Sequence, residues 1–349
     1  MSLHIDAPAF RDLLADPAPA ESLSAVTGCP QVVVEVSDAS GGRALAGLDC
    51  GALPAVVIVV ARDPWCLPGA AFAAADVVLT EDDSASSPFA APPGGVQAGL
   101  DALTSALSAS PVAGTALSLL LRSSAALTGP AALIAESATY SALQEGAEFH
   151  RWRSGRPTRE PEPGSDRVVV ERSGSVLRIM LSRPDRRNAI DWRMRDALTT
   201  ALETAARDPD LRIVLAGAGP DFCAGGDLDE FGSRPDPATA HLVRLTRSPA
   251  LLLDRLSART TAYVHGACLG AGVELPAFAG RVVAAPDTRV ALPELSFGLI
   301  PGAGGTVSLT RRIGRWRAAF LGLSGVSLTA EQALRWGLID VISPADESS

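Results

Sequence analysis

Between Arg151 and Asp166 the chain runs through a polar stretch that includes Arg159-Glu160-Pro161-Glu162-Pro163-Gly164-Ser165. Its prolines deny both helix and central strand, and its charges favour solvent, so it reads as a linker. It divides the 349 residues into an N-terminal domain, 1–150, and a C-terminal domain, 167–349. Each is long enough to bury a core of its own.

Downstream of the linker, strand and helix alternate. Val168 to Arg172 and Val176 to Leu181 read as short strands around a Ser-Gly turn. Asp191 then caps a helix from Trp192 to about Arg207, with Met194, Leu198, Leu202 and Ala205 on one face. Ile213 to Ala216 and Thr261 to Val264 read as buried strands, so this half is an α/β fold built from βα units. Upstream, Gln31 to Val36 and Val56 to Val60 also read as buried strands. The Ser-, Pro- and Ala-rich 83–95 segment reads as loop, and 96–152 as mostly helical with breaks at Pro111 and Gly129-Pro130.

Composition excludes several function classes. A formal charge of −9 argues against a nucleic-acid footprint. Five cysteines without a Cys-x-x-Cys spacing argue against a disulfide framework or a zinc site. No apolar run approaches the roughly 20 residues of a membrane helix, and the N-terminus opens without a basic-then-apolar signal. A cytoplasmic protein with no membrane partner is expected. The chain contains no lysine, so Schiff-base chemistry and a phosphate-loop Lys are excluded, and any cation that meets a phosphate must be arginine.

Three Gly-rich loops carry the chemical argument: Gly217 to Leu228, Val264 to Leu275, and Leu292 to Thr306. The first two follow strands, and the second opens a short helix. Gly and Ala leave backbone N–H groups open to a ligand. Two such groups aimed at one oxygen form an oxyanion hole, strengthened by a helix N-terminus. A thioester carbonyl that becomes an enolate needs that arrangement, and Glu274 and Glu294 are available for the proton transfers beside it.

In order and spacing these loops resemble the crotonase (enoyl-CoA hydratase/isomerase) superfamily along nearly all of 168–342. The likeness begins at Leu181-Ser182-Arg183-Pro184-Asp185-Arg186-Arg187-Asn188-Ala189-Ile190 and continues through Phe222-Cys223-Ala224-Gly225-Gly226-Asp227-Leu228 and His265-Gly266 to Gly272. It closes with Gly298-Leu299-Ile300-Pro301-Gly302-Ala303-Gly304-Gly305-Thr306 and Ala333-Leu334-Arg335-Trp336-Gly337-Leu338-Ile339-Asp340. The resemblance implies a crotonase-like (ββα)n spiral preceded by an N-terminal α/β-helical domain. It implies an acyl-CoA thioester as partner, no cofactor beyond the CoA that the substrate carries, no metal, and a homo-oligomer, trimer or hexamer.

By motif position it places the oxyanion hole at the N–H groups of Gly226 and Ala271. Ala189, Ala224 and Leu228 fall at CoA-binding positions, with Arg186 and Arg187 the nearest cations for its phosphates. Glu274 would deprotonate water for attack at Cβ, and Glu294 would exchange the proton at Cα. Both acids being present favours hydration of an enoyl-CoA over isomerisation or other enolate chemistry, and over a non-catalytic CoA-thioester scaffold. His265 is expected to be structural, Cys223 and Cys268 packing residues, and Asp227 an organiser of its loop.

Family members continue for several helices beyond the segment at Asp340, whereas this sequence has nine residues after it. The segments Ser110 to Ala113, Glu136 to Gln144 and Glu148 to Trp152 resemble those missing helices. Ala74 to Pro88 also lines up without a gap on Ala279 to Pro293. The upstream half is therefore expected to be a degenerate crotonase half, with Gly69 and Phe89 in place of the two glutamates, that supplies lid or oligomerisation helices.

Overall fold

A computed structural model describes residues 2–124, 126–156, 166–233 and 236–344. Most of the expected linker lies outside the described residues. The chain forms two compact units, neither of them continuous in sequence. The first comprises Met1–Leu127, Glu294–Ile300 and Ile313–Val326; the second comprises Thr128–Pro293, Pro301–Arg312 and Ser327–Ser349. The division thus falls after Leu127 rather than near 150, beside the break expected at Gly129-Pro130 in the mostly helical run.

The first unit is built on five strands, β1 (Ser2–Asp6), β2 (Gln31–Glu35), β3 (Val56–Val60), β4 (Val77–Leu79) and β5 (Phe89–Ala90). They are all parallel and ordered as in the chain. The Val-Val-Ile-Val-Val of β3 is buried throughout, as expected of a strand covered on both faces. β5 lies inside the segment read as loop, because a two-residue strand has no periodicity to detect.

Arg122, on the Pro111–Ser124 helix, ties together the loops that flank β3 and β4. Its Nε donates to Asp76 Oδ1 at 2.8 Å and its Nη2 to Oδ2 at 2.5 Å. The same guanidinium donates to the carbonyls of Cys50, Leu53 and Ala55 at 2.6–2.7 Å. Asp76 in turn accepts from the Val57 N–H at 2.8 Å.

The second unit holds β6 (Val168–Ser173), β7 (Val176–Leu181), β8 (Arg212–Gly217), β9 (Thr260–Val264), β10 (Ala267–Leu269), β11 (Arg281–Ala284), β12 (Arg289–Ala291), β13 (Leu328–Thr329) and β14 (Val341–Ile342). A six-stranded sheet runs β14-β11-β9-β8-β7-β6 and a three-stranded sheet runs β10-β12-β13. The chain leaves the large sheet after β9 for β10, returns as β11, leaves again as β12, and comes back as β14. This alternation is the expected spiral. Asp191 caps the Trp192–Arg207 helix by accepting from the Met194 N–H at 2.8 Å, and Met194, Leu198, Leu202 and Ala205 are buried.

Two further helices belong to this second unit: Gly129–Gln144, upstream of the linker, and Ala147–Ser154, whose last turn takes up the first residues expected to be linker, from Arg151. The first packs on the Pro237–Thr246 helix: Ser141 Oγ donates to Pro237 O at 2.8 Å, and Arg244 donates to Ser137 Oγ at 3.0 Å while covering the Tyr140 ring at 4.9 Å. The second places Trp152 against Phe231, ring centres 6.1 Å apart.

The expected internal duplication is met only in the parallel pairing of β3 with β4 and of β9 with β11. Two 3₁₀ turns separate the first pair, whereas β10, the Ala271–Glu274 helix and a 3₁₀ turn separate the second. A gap-free alignment would carry the Ile58–Val77 pairing onto Tyr263–Val282, yet Tyr263 pairs with Val283. β5 then joins the sheet of β4, whereas β12 crosses to the small sheet. Among the described residues no single helix is long and apolar enough to cross a membrane.

Candidate active site

The glycine loops of the second unit are joined by their backbones. Phe222 N–H donates to His265 O at 2.9 Å, Cys223 N–H to Ala267 O at 3.1 Å, and Leu269 N–H to Cys223 O at 3.0 Å. So close an approach requires glycine at 272, where a Cβ would stand 2.1 Å from the Cys223 carbonyl oxygen. Asn188 ties in the preceding loop. Its Oδ1 accepts from the Arg183 N–H at 2.8 Å, and its Nδ2 donates to the carbonyls of Ala218, Asp221 and Phe222 at 2.8–3.0 Å. Its φ of 53° lies in the left-handed region that Asn tolerates better than most residues.

Within this framework two N–H groups stand outside the backbone ladders. At the bridge between Ile190 and Gly226, Ile190 N–H donates to Gly225 O and Asp227 N–H to Ile190 O, so the ladder uses the groups flanking Gly226. Ala271 is the first residue of the one-turn Ala271–Glu274 helix, where an N–H has no intrahelical acceptor. Arg183, buried, donates to Asp227 Oδ2 at 2.6 Å and to Ala189 O at 3.1 Å, fixing the loop that carries Gly226.

Glu274 closes the same short helix and is buried. Its Oε2 accepts from the N–H groups of Ala303 and Gly305, both at 2.8 Å. Gly305 has no room for a side chain, since a Cβ would stand 2.7 Å from Glu274 Cγ. The same turn of backbone meets a second carboxylate that the sequence did not single out for chemistry. Glu136, from the Gly129–Gln144 helix, accepts from Gly304 N–H at 2.7 Å, Thr306 N–H at 2.9 Å and Thr306 Oγ at 2.6 Å. Glu294 sits in the first unit, buried in the Glu294–Phe297 3₁₀ turn, with its carbonyl accepting from Leu299 N–H at 3.1 Å.

Burial pushes the Glu136 carboxyl up to about 7, against the lowering effect of its Thr306 and Gly304 donors and of Arg244. Between the unfolded value near 4.5 and this raised one, the native state holds a proton that the unfolded chain has lost. Stability therefore falls as pH rises through that window and levels off above it. Urea unfolding from pH 4.5 to 8 should show the wild type losing stability relative to Glu136→Gln over that range. A constant difference would refute the assignment.

A cavity of about 430 Å³ opens on this framework, lined by Arg186, Ala189, Ala224, Gly226 and Leu228 among others. Five of the residues expected at the ligand thus share one surface. Arg187 is not among the lining residues; its Nε pairs with Asp221 Oδ2 at 2.7 Å, and its backbone is left-handed, with a φ of 52°. Arg156, just past the Ala147–Ser154 helix, lines the cavity instead and stacks on Trp152 at 5.0 Å. It lies within the stretch that reads as linker, where a charged residue is expected simply to be solvated.

His265 Nε2 lies 2.9 Å from Gly219 O, a loop-bracing contact. Burial raises the Cys223 thiol to about 12 and the Cys268 thiol well above its usual value, so neither supplies a thiolate near neutrality. Among the described residues no group of three or more His, Cys, Asp or Glu side chains could hold a metal ion.

Comparison with known proteins bears on the same half of the chain. The enoyl-CoA hydratase/isomerase family model matches residues 171–348. The 2,3-dehydroadipyl-CoA hydratase of Escherichia coli (strain K12) is 38% identical over 182 residues, 51% of this chain and 70% of that protein. The 1,2-epoxyphenylacetyl-CoA isomerase of the same strain is 36% identical over 170 residues, 47% of this chain and 64% of that protein. The crystal structure of enoyl-CoA hydratase from Thermoplasma volcanium GSS1 has 34% identity and a TM-score of 0.49, covering 52% of this chain and 74% of that one. With its glycine loops joined as described and the family model matched across its C-terminal half, this chain belongs to the enoyl-CoA hydratase/isomerase family, the crotonase superfamily.

Proposed function

We propose that the protein adds water reversibly to a 2-enoyl-CoA thioester. One observation carries the reading: a single helical turn presents an open N–H at its first residue, Ala271, and a buried, doubly anchored carboxylate at its fourth, Glu274. The turn rises only about 5 Å over its four residues, which supports assigning the oxyanion donor and the acid to one reacting centre.

In the forward direction water attacks Cβ and gives its proton to Glu274. The π electrons move toward the thioester, whose oxygen becomes an enolate held by the N–H groups of Gly226 and Ala271. The enolate then collapses as Cα takes a proton, a step assigned to Glu294 on its motif position. The cavity residues Arg186, Ala189, Ala224 and Leu228 would hold the CoA portion, with Arg156 as an added cation for its phosphates. No cofactor besides the substrate's own CoA is required.

Isomerisation through the same enolate is the second reading, favoured by the relative named as an isomerase. The test is hydration of crotonyl-CoA and of longer and aromatic enoyl-CoAs, followed at the enoyl absorbance. Turnover on at least one is expected, falling about 10²–10⁴-fold in Glu294→Gln, the usual worth of a general acid–base group. Tight binding of CoA esters with no hydration by the wild type would overturn the hydratase reading and bring isomerisation forward.

A further inference from the structure

We infer that Glu136 is a positioning residue for Glu274, acting through the backbone of the 303–306 loop. The inference rests on the reading of Glu274 as the group that activates water. Four consecutive N–H groups alternate between two buried carboxylates: Ala303 and Gly305 donate to Glu274, Gly304 and Thr306 to Glu136. Adjacent peptide planes are rigid and share Cα atoms. A shift of 304 or 306 therefore rotates 303 and 305, and with them the two donors that aim Glu274.

The chemistry of Glu136 suits this task better than a packing role. An apolar side chain would fill a buried helix face without the cost of desolvating a carboxyl group. Only a group with two acceptor oxygens can take the Gly304 N–H on one and the Thr306 N–H and hydroxyl on the other. The Thr306 hydroxyl can donate to the carboxylate or accept from the carboxylic acid, so the clamp survives in either protonation state. Both donors lie at the start of the Gly305–Ile313 helix, where N–H groups lack intrahelical partners and the helix dipole favours an acidic group. Glu136 reaches them from 168 residues away, on a helix upstream of the linker.

The experiment compares wild type, Glu136→Gln, Thr306→Val and Thr306→Ser in the full-length protein. Glutamine has one acceptor oxygen and an NH₂ group that opposes a donor N–H, so one side of the clamp must open. Glu136→Gln is expected to lose about 10²-fold in kcat with KM within about twofold, the signature of a misaimed group in an intact binding site. Thr306→Val, which loses a single donor, should lose roughly 5- to 10-fold, and Thr306→Ser should restore the rate. Hydrogen exchange of the peptide spanning 301–307 should accelerate in Glu136→Gln and Thr306→Val and stay slow in Thr306→Ser.

Unchanged kcat in soluble, folded Glu136→Gln would reduce the residue to a structural cap and overturn the inference. If the wild type turns over no enoyl-CoA, the hydratase reading fails by itself. Exchange then decides the positioning claim: acceleration upholds the coupling of Glu136 to the Glu274 donors, and no change refutes it. If Glu136→Gln does not fold, the Thr306 pair decides between the same two outcomes.

Discussion

Glu274→Gln is expected to bind CoA thioesters as the wild type does and to lose about 10²–10⁴-fold in turnover. Oε2 accepts from the N–H groups of both Ala303 and Gly305. In glutamine the amide oxygen can occupy that place and accept both N–H groups, which forces its NH₂ into the position of Oε1. The two contacts and the buried volume are preserved, while the side chain loses its capacity to take a proton. The Ala271 N–H is untouched, so the thioester oxygen keeps its binding site. Calorimetric binding of a non-reactive acyl-CoA together with steady-state hydration checks both halves. A variant that retained more than a tenth of wild-type turnover would remove Glu274 from the chemistry; one that lost binding in parallel would show that the substitution had disturbed the loops.

Arg122→Ala should cost the first unit about 3–5 kcal/mol, the usual penalty for stripping one partner from a buried ion pair. Side-chain exposures of 7% for Arg122 and 1% for Asp76 leave the surviving carboxylate no route to water. The loss extends beyond the pair, because the carbonyls of Cys50, Leu53 and Ala55 would also lose their donor. Arg122→Lys should rescue little, since one ammonium cannot span both carboxylate oxygens and three carbonyls. Urea unfolding followed by circular dichroism measures the effect, and a change below about 1 kcal/mol would mean that water or a rearranged loop substitutes for the guanidinium. Enzymes with a marginal reserve of about 5–15 kcal/mol tolerate few such losses.

Much of the second unit was legible in its residues. Asp191 before an amphipathic run marks its helix, the Val-, Ile- and Leu-containing runs mark β7 and β8, and the β-branched and aromatic Thr-Thr-Ala-Tyr-Val run marks β9. The loop glycines and the Ala-Gly-Val-Glu turn could be read because close backbone contact restricts residue type at each position. The boundary between the units was not legible. Linkers are recognised by charge and proline, and the chain near Leu127 has an ordinary helix break that resembles a turn within one bundle. Glu136 escaped for a related reason. A glutamate among Ala, Ser and Leu on a helix looks like a solvated side chain until the loop that meets it is known, and that loop is 168 residues downstream. The two adjacent arginines look equivalent in sequence, whereas in the structure Arg186 lines the cavity and Arg187 pairs with Asp221.

The discontinuity of both units also governs the order in which the nascent protein can mature. The first unit needs Arg317, whose guanidinium donates to Phe89 O at 2.7 Å, and the second needs the amides that satisfy Glu136. At translation rates of about 5–20 residues per second, Glu136 leaves the ribosome on the order of 10–30 s before Thr306 does. During that interval its helix has no seat for the carboxylate and its apolar face is open to misassociation. A ribosome-bound chain that ends before 306 can hold native-like strands, and its Glu136 stays in water until the last donor amide is synthesised.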